Sequence, residues 1–225
     1  MSKEIDKKIL SIKNFLSKRE IDEIMSEIQI IMQKRKYVNF KLKLNKKKLS
    51  FTKDRSEFDD CYYLARKQKI WPKIYDSFQH LDCYKKIVIP KVLKLSKKLI
   101  SKKIRIITKG VRIIEKNDMR SYPIHQEYVG MRSSCFLVFW IALNTISVSE
   151  GGLLLSEYIP NTKLPHTLNK KKYPILPEQE KWIENSKEKN FKAGESLIVG
   201  RYVPHGTAKK TKGPPRWACL IRVGV

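Results

Sequence analysis

In the stretch SYPIHQEYVG a histidine and a glutamate stand two positions apart, a spacing that suits metal chemistry. Side chains along an extended segment alternate faces, so His125 and Glu127 project together while Gln126 points away. A three-residue pattern of this kind recurs by chance, and a second stretch gives it weight. In AGESLIVGRYVPHGTAKKTKGPPRWACLIRV, His205 follows a predicted strand, Gly206 comes next to it, and Arg216 opens another predicted strand. Two imidazoles and one carboxylate on one face of an octahedron make a ligand set that holds Fe(II) and leaves the other positions open. An arginine near such a site presents a planar fork to a carboxylate, giving a bidentate, charge-assisted bond.

These residues need a frame to position them. After residue 103 the sequence runs through IRIIT, VRII, SCFLVFWIAL, GGLLLSEY, ESLIVG and WACLIRV, separated by Gly, Pro, Asn and Ser. Short β-branched and aromatic runs with this punctuation predict an all-β barrel or sandwich. Ahead of it the chain is mostly helical. Ser17 and Glu20 have the S-x-x-E spacing of a capping box, and Ile21, Ile24, Met25, Ile28, Ile31 and Met32 recur at helical spacing, predicting a helix over about 18–35. The preceding ILSIKNFL reads as a strand, 40–60 as a polar loop, and 61–100 as helical with breaks at Pro72 and Pro90. Between Ile159 and Lys192 the sequence is rich in Lys and Pro with little strand pattern, which predicts an insertion or lid. The expectation is one domain over 1–225, helical to 103 and β from 104.

Composition narrows the class. The 225 residues carry a formal charge of +26 and 41% apolar content. A charge of this size raises nucleic acid or another anion as partner. The cations, however, are 37 Lys and 11 Arg spread along the chain, and no aromatic-interleaved RNA-recognition motif accompanies them. Lys46-Lys47-Lys48 and Lys170-Lys171-Lys172 are the densest clusters. Cys61, Cys83, Cys135 and Cys219 form no C-x-x-C pair, which excludes a zinc knuckle or dithiol motif and fits a reducing compartment. The N-terminus lacks the apolar region of a signal peptide, and the longest apolar run, CFLVFWIAL, is too short to span a bilayer, so the expected location is the cytoplasm.

Taken in order, H-Q-E, F-W-I-A-L, E-G-G-L, G-E-S-L-I-V, P-H-G and P-R-W resemble the phytanoyl-CoA dioxygenase family of Fe(II)- and 2-oxoglutarate-dependent oxygenases. The likeness covers about 104–225, and NFLSKREIDEIMSEI is similar to that family's opening. It implies a double-stranded β-helix, the jelly-roll, cupin-like type of barrel. It also implies His125, Glu127 and His205 as iron ligands and Arg216, eleven residues beyond His205, as partner to the far carboxylate of 2-oxoglutarate. The implied reaction consumes dioxygen and 2-oxoglutarate, releases succinate and carbon dioxide, and hydroxylates a small organic substrate. Glu127 stands where the family usually has Asp; a carboxylate at this position also argues against the halogenase variant. On this reading Glu127→Ala or His205→Ala abolishes succinate formation with little loss of fold.

Further residues carry weaker expectations. Thr207 shares a face with His205 and either touches the co-substrate or is a turn hydroxyl; Trp140 either walls the co-substrate pocket or is core. Arg112 can reach 2-oxoglutarate or an anionic substrate. His80 reads as a helix residue, and His166, in the predicted lid, as a substrate contact or an exposed loop residue. The rival function is a basic nucleic-acid-binding protein on a catalytically degenerate jelly-roll scaffold. A third reading joins the two, an oxygenase acting on a nucleotide or phosphate-bearing sugar.

Overall fold

The structure is a computed structural model that describes residues 4–34, 51–53, 81–100, 103–114, 123–127, 135–168 and 174–225. His80, both lysine clusters, Cys61 and residues 61–80 of the predicted helical region lie outside the described residues, as do the side chains of Ile31, Met32 and Arg112. The chain divides into two compact units, one formed by Met1–Phe15 with Val92–Val225 and the other by Leu16–Lys91.

In the second unit, α1 (Lys18–Lys34) matches the predicted helix. It starts as the capping box requires: the Ser17 amide donates to Glu20 Oε2 at 2.8 Å and the Glu20 amide to Ser17 Oγ at 3.2 Å. Ile21, Ile24, Met25 and Ile28 are buried along one face. Carboxylates on the same helix gather the chain around it. Asp22 accepts from the amide and hydroxyl of Thr52, and Glu27 from the amides of Asp82 and Cys83. A π-helical segment, Tyr84–Val88, leads into α2 (Ile89–Leu99), which belongs to the first unit from Val92 onward.

The first unit is built from antiparallel strands. In chain order these are β1 (Ile9–Ile12), β2 (Arg105–Ile114), β3 (Cys135–Ala142), β4 (Leu153–Ser156), β5 (Thr167–Leu168), β6 (Pro174–Ile175), β7 (Ser186–Lys189), β8 (Ser196–Gly200), β9 (His205–Thr207) and β10 (Arg216–Gly224). A five-stranded sheet has the order β1-β8-β3-β10-β2, and a three-stranded sheet the order β7-β4-β9. The two sheets share a core. Val138, Trp140 and Ala142 of β3, Leu197 and Val199 of β8 and Ala218 of β10 pack with Leu153 and Leu155 of β4 and with Phe191. Each of the larger side chains contributes roughly 1.5–3 kcal/mol on burial. On the other face of β4, Leu154 packs with Ile124, Leu176 and Ala208, with Leu164 and Trp182 against them.

Strand register then dictates which side chains enter the space between the sheets. On β10, Ala218, Leu220 and Arg222 lie opposite Ala142, Trp140 and Val138 of β3, so even-numbered residues share the inward face. On the facing sheet, His205 and Thr207 of β9 lie opposite Leu155 and Leu153, which are members of the shared core.

Three local features differ from the sequence reading. IRIIT and VRII form one ten-residue strand, because Lys109 and Gly110 keep their pairing to Ile221 and Leu220. The segment 159–192 is not a featureless insertion: it holds β5, β6, α3 (Gln179–Glu184) and β7, whose four polar residues pair along β4. His125 sits in a single bridge to His205 rather than in a strand. No helix among the described residues is long and apolar enough to cross a membrane.

Candidate metal centre

The bridge between His125 and His205 is made by two reciprocal backbone bonds of 3.0 Å, each amide donating to the other residue's carbonyl. This sets the imidazoles side by side, with ring centroids 4.6 Å apart. On the outer edge of 123–127 side chains join one backbone bond, in which the Leu176 amide donates to the Ile124 carbonyl at 3.0 Å. Gln179 accepts from the Ile124 amide at 2.7 Å and donates to the Ile124 carbonyl at 2.8 Å, while the Gln126 amide donates to His166 Nε2 at 3.0 Å.

Gln126 turns away from His125 and Glu127, as the period of two requires. Fully buried, its Nε2 donates to the carbonyls of Tyr202 (2.8 Å) and Thr162 (3.3 Å), and its Oε1 accepts from the Leu164 amide at 2.9 Å. One side chain thereby fastens residues 162–164 behind the segment that carries the candidate ligands. Gln126→Ala is expected to cost about 1–3 kcal/mol by leaving these buried groups unsatisfied, and hydrogen exchange should show the Leu164 amide losing protection ahead of amides in β3.

Each histidine of the pair donates from Nδ1 to a carbonyl two residues earlier, His125 to Pro123 at 2.8 Å and His205 to Val203 at 2.9 Å. That fixes the tautomer and leaves both Nε2 atoms as lone-pair donors. They converge on Glu127 Oε1, at 3.9 Å from His125 Nε2 and 4.0 Å from His205 Nε2. The three residues offer ligand atoms all within 4.8 Å of one another. Two imidazole nitrogens and one carboxylate suit a divalent first-row metal, so the donor set fits the metal that the resemblance implies.

Electrostatics favour the states that metal binding needs at His205 and Glu127. Burial pushes the His205 imidazole down to about 4, reinforced by His125 and opposed by Glu127, so this ring is neutral at neutral pH. Burial alone would raise the Glu127 carboxyl, but the Arg222 guanidinium and His125 outweigh it and hold the group well below the usual carboxylate range. The cause is geometric. Arg222 Nη2 donates to Glu127 Oε1 and Nε to Oε2, both at 2.7 Å, while Nη1 donates to Thr108 Oγ1 at 3.2 Å.

Sequence reasoning missed Arg222. The available signal was its parity with Arg216 on β10, which puts a second cation on the inward face of an otherwise apolar strand. Arg216 itself is buried. Its Nη1 donates to the Gly151 carbonyl and its guanidinium lies 5.3 Å from the centre of the Trp140 ring. Gly151, with φ 88°, ends the turn Val148–Glu150 in the left-handed region that glycine adopts without strain. Six residues separate the two arginines, about 20 Å along an extended strand, so Arg216 opens β10 well away from the end that meets Glu127.

Trp140 belongs to the core, with its ring 4.3 Å from that of Phe191. Thr207 is buried on the inward face. The Arg112 backbone lies opposite Ala218. His166 is half-buried and is a structural acceptor for Gln126; burial lowers its pKa, which keeps the ring neutral for that role. A cavity of about 630 Å³ lies beside this segment, lined by Tyr158, Leu164, Leu176, Trp182 and neighbouring residues, on the Ile124 side rather than among the three candidate ligands.

No protein-family model and no curated protein matches the sequence. Solved structures do match. ThoJ, a non-haem monooxygenase solved in its apo form, is 14% identical, with 98% of this chain and 75% of ThoJ aligned at a TM-score of 0.66. HygX from Streptomyces hygroscopicus, solved with nickel and 2-oxoglutarate, is 10% identical over 97% of this chain and 82% of its own, with a TM-score of 0.59. SnoN, a non-haem alpha-ketoglutarate-dependent epimerase from nogalamycin biosynthesis, is 13% identical over 97% and 79%, with a TM-score of 0.58. At such identities the likeness establishes a fold shared with these three proteins.

Proposed function

We propose that the chain is an Fe(II)- and 2-oxoglutarate-dependent oxygenase on a double-stranded β-helix, with His125, Glu127 and His205 as the metal ligands. The observation that carries this reading is the convergence of two Nε2 atoms on one oxygen of Glu127, with both Nδ1 atoms spent on backbone carbonyls. Support comes from proteins of the same fold, of which SnoN has been solved with iron and alpha-ketoglutarate and ThoJ and HygX with nickel.

When bound, iron and 2-oxoglutarate supply the oxidation: substrate, dioxygen and 2-oxoglutarate give hydroxylated substrate, succinate and carbon dioxide. The protein supplies position and surroundings. His125 and His205 hold the metal through Nε2, and Glu127 supplies its negative charge. Arg216, buried and inward-facing, is the proposed anchor for the distal carboxylate, for which its fork is suited. Binding there requires the guanidinium to share or exchange its bond to the Gly151 carbonyl. Trp140 and Leu155 close the space between the sheets to water, and Thr207, on the His205 face, offers a hydroxyl to the co-substrate. The substrate is read as a small organic molecule. Purified protein given Fe(II), 2-oxoglutarate and air should release succinate slowly without added substrate. Failure of the native, iron-loaded protein to do so would count against the reading.

A further inference from the structure

We infer that Arg222 is a positioning residue that makes Glu127 a one-oxygen metal ligand; this deepens the reading above and rests on it. A carboxylate that chelates a cation through both oxygens places the cation on the open side of the O–C–O angle. In this protein that side is taken by the Arg222 fork, with Nη2 and Nε each 2.7 Å from an oxygen. An ionised carboxylate has about four lone-pair directions, and the fork uses one on each oxygen. Oε1 keeps a direction facing the two imidazoles, at 3.9 and 4.0 Å.

Arg222 is itself held in place. Thr108 lies opposite it on β2 and accepts from Nη1 at 3.2 Å, and Val138 lies opposite it on β3. The device answers a problem that the glutamate creates. Its extra methylene, compared with aspartate, adds a rotatable bond and lets the carboxylate swing to chelate through both oxygens. Chelation would occupy a coordination position that 2-oxoglutarate or dioxygen needs. Two bonds from an interior strand of the five-stranded sheet, paired on both sides, remove that freedom.

Mn(II) in the complete protein reads the number of open positions directly, through the relaxation of water protons, and needs no turnover. Six octahedral positions less three protein ligands leave about three exchangeable waters. The wild type should show about three, and Arg222→Gln about two, with Mn(II) affinity falling about 10–100-fold, the usual cost of losing an outer partner of a ligand. Because Arg222→Gln leaves a buried carboxylate unpaired, Arg222→Lys is the second variant: its ammonium keeps the charge but cannot fork. The same loss of a water in Arg222→Lys supports the inference. Unchanged hydration and affinity in that variant, or tighter Mn(II) binding, would overturn it. The wild-type titration is read first; native wild type that binds no Mn(II) removes both the metal centre and this role for Arg222. Wild-type binding with unaltered Arg222 variants removes the role alone.

Discussion

Glu127→Ala is expected to unfold the protein more easily by about 3–5 kcal/mol, the cost of stranding one partner of a buried ion pair. On the sequence alone this substitution should spare the fold; the Arg222 fork changes that expectation. The Glu127 and Arg222 side chains are only 5% and 13% exposed, so the guanidinium left behind has little access to water. For a chain of this size the loss corresponds to a fall in melting temperature on the order of 10 °C. Glu127→Leu combined with Arg222→Met should recover most of the stability, since apolar replacement of both partners removes the desolvation cost along with the attraction. The single and double variants, compared by urea denaturation, separate the electrostatic role of Glu127 from its role as a ligand.

His205→Ala is expected to abolish metal-dependent succinate release while leaving the fold largely intact. The bridge to His125 runs through backbone atoms, which the substitution retains. What is lost is one of the three proposed metal donors and the side-chain bond to the Val203 carbonyl. The cost to stability should be about 1–3 kcal/mol, for a buried imidazole removed and one carbonyl left unsatisfied. Visible absorption of Co(II) added to wild type and variant checks the first part, and thermal unfolding the second. Saturating Co(II) binding by the variant at wild-type affinity would contradict the assignment of His205.

The strands legible in the sequence were those with an unambiguous apolar pattern: FLVFWIA in β3, LLL in β4, LIV in β8 and WACLIRV in β10. Their side chains decide the fold, because burial selects them. β7, with the sequence SKEK, was illegible; its pairing to β4 rests on backbone bonds and carries no apolar signal. The candidate ligands were legible by type and spacing, although His125 sits in a single bridge rather than in a strand. Their supports were not. Gln126, Gln179 and His166 support the ligands through bonds spanning 36 to 76 positions, and Arg222 meets Glu127 across 95. No local period encodes such partners. Parity along β10 would have placed Arg222 inward, but the choice of its partner is a property of the folded chain.

The central claim is that His125, Glu127 and His205 bind iron in a way that leaves room for 2-oxoglutarate. The most direct measurement is anaerobic visible absorption of metal-free protein after adding Fe(II) and then 2-oxoglutarate. A weak charge-transfer band that needs both additions, and that is absent in His205→Ala, is the predicted result. Native protein that shows no band with both present would contradict it.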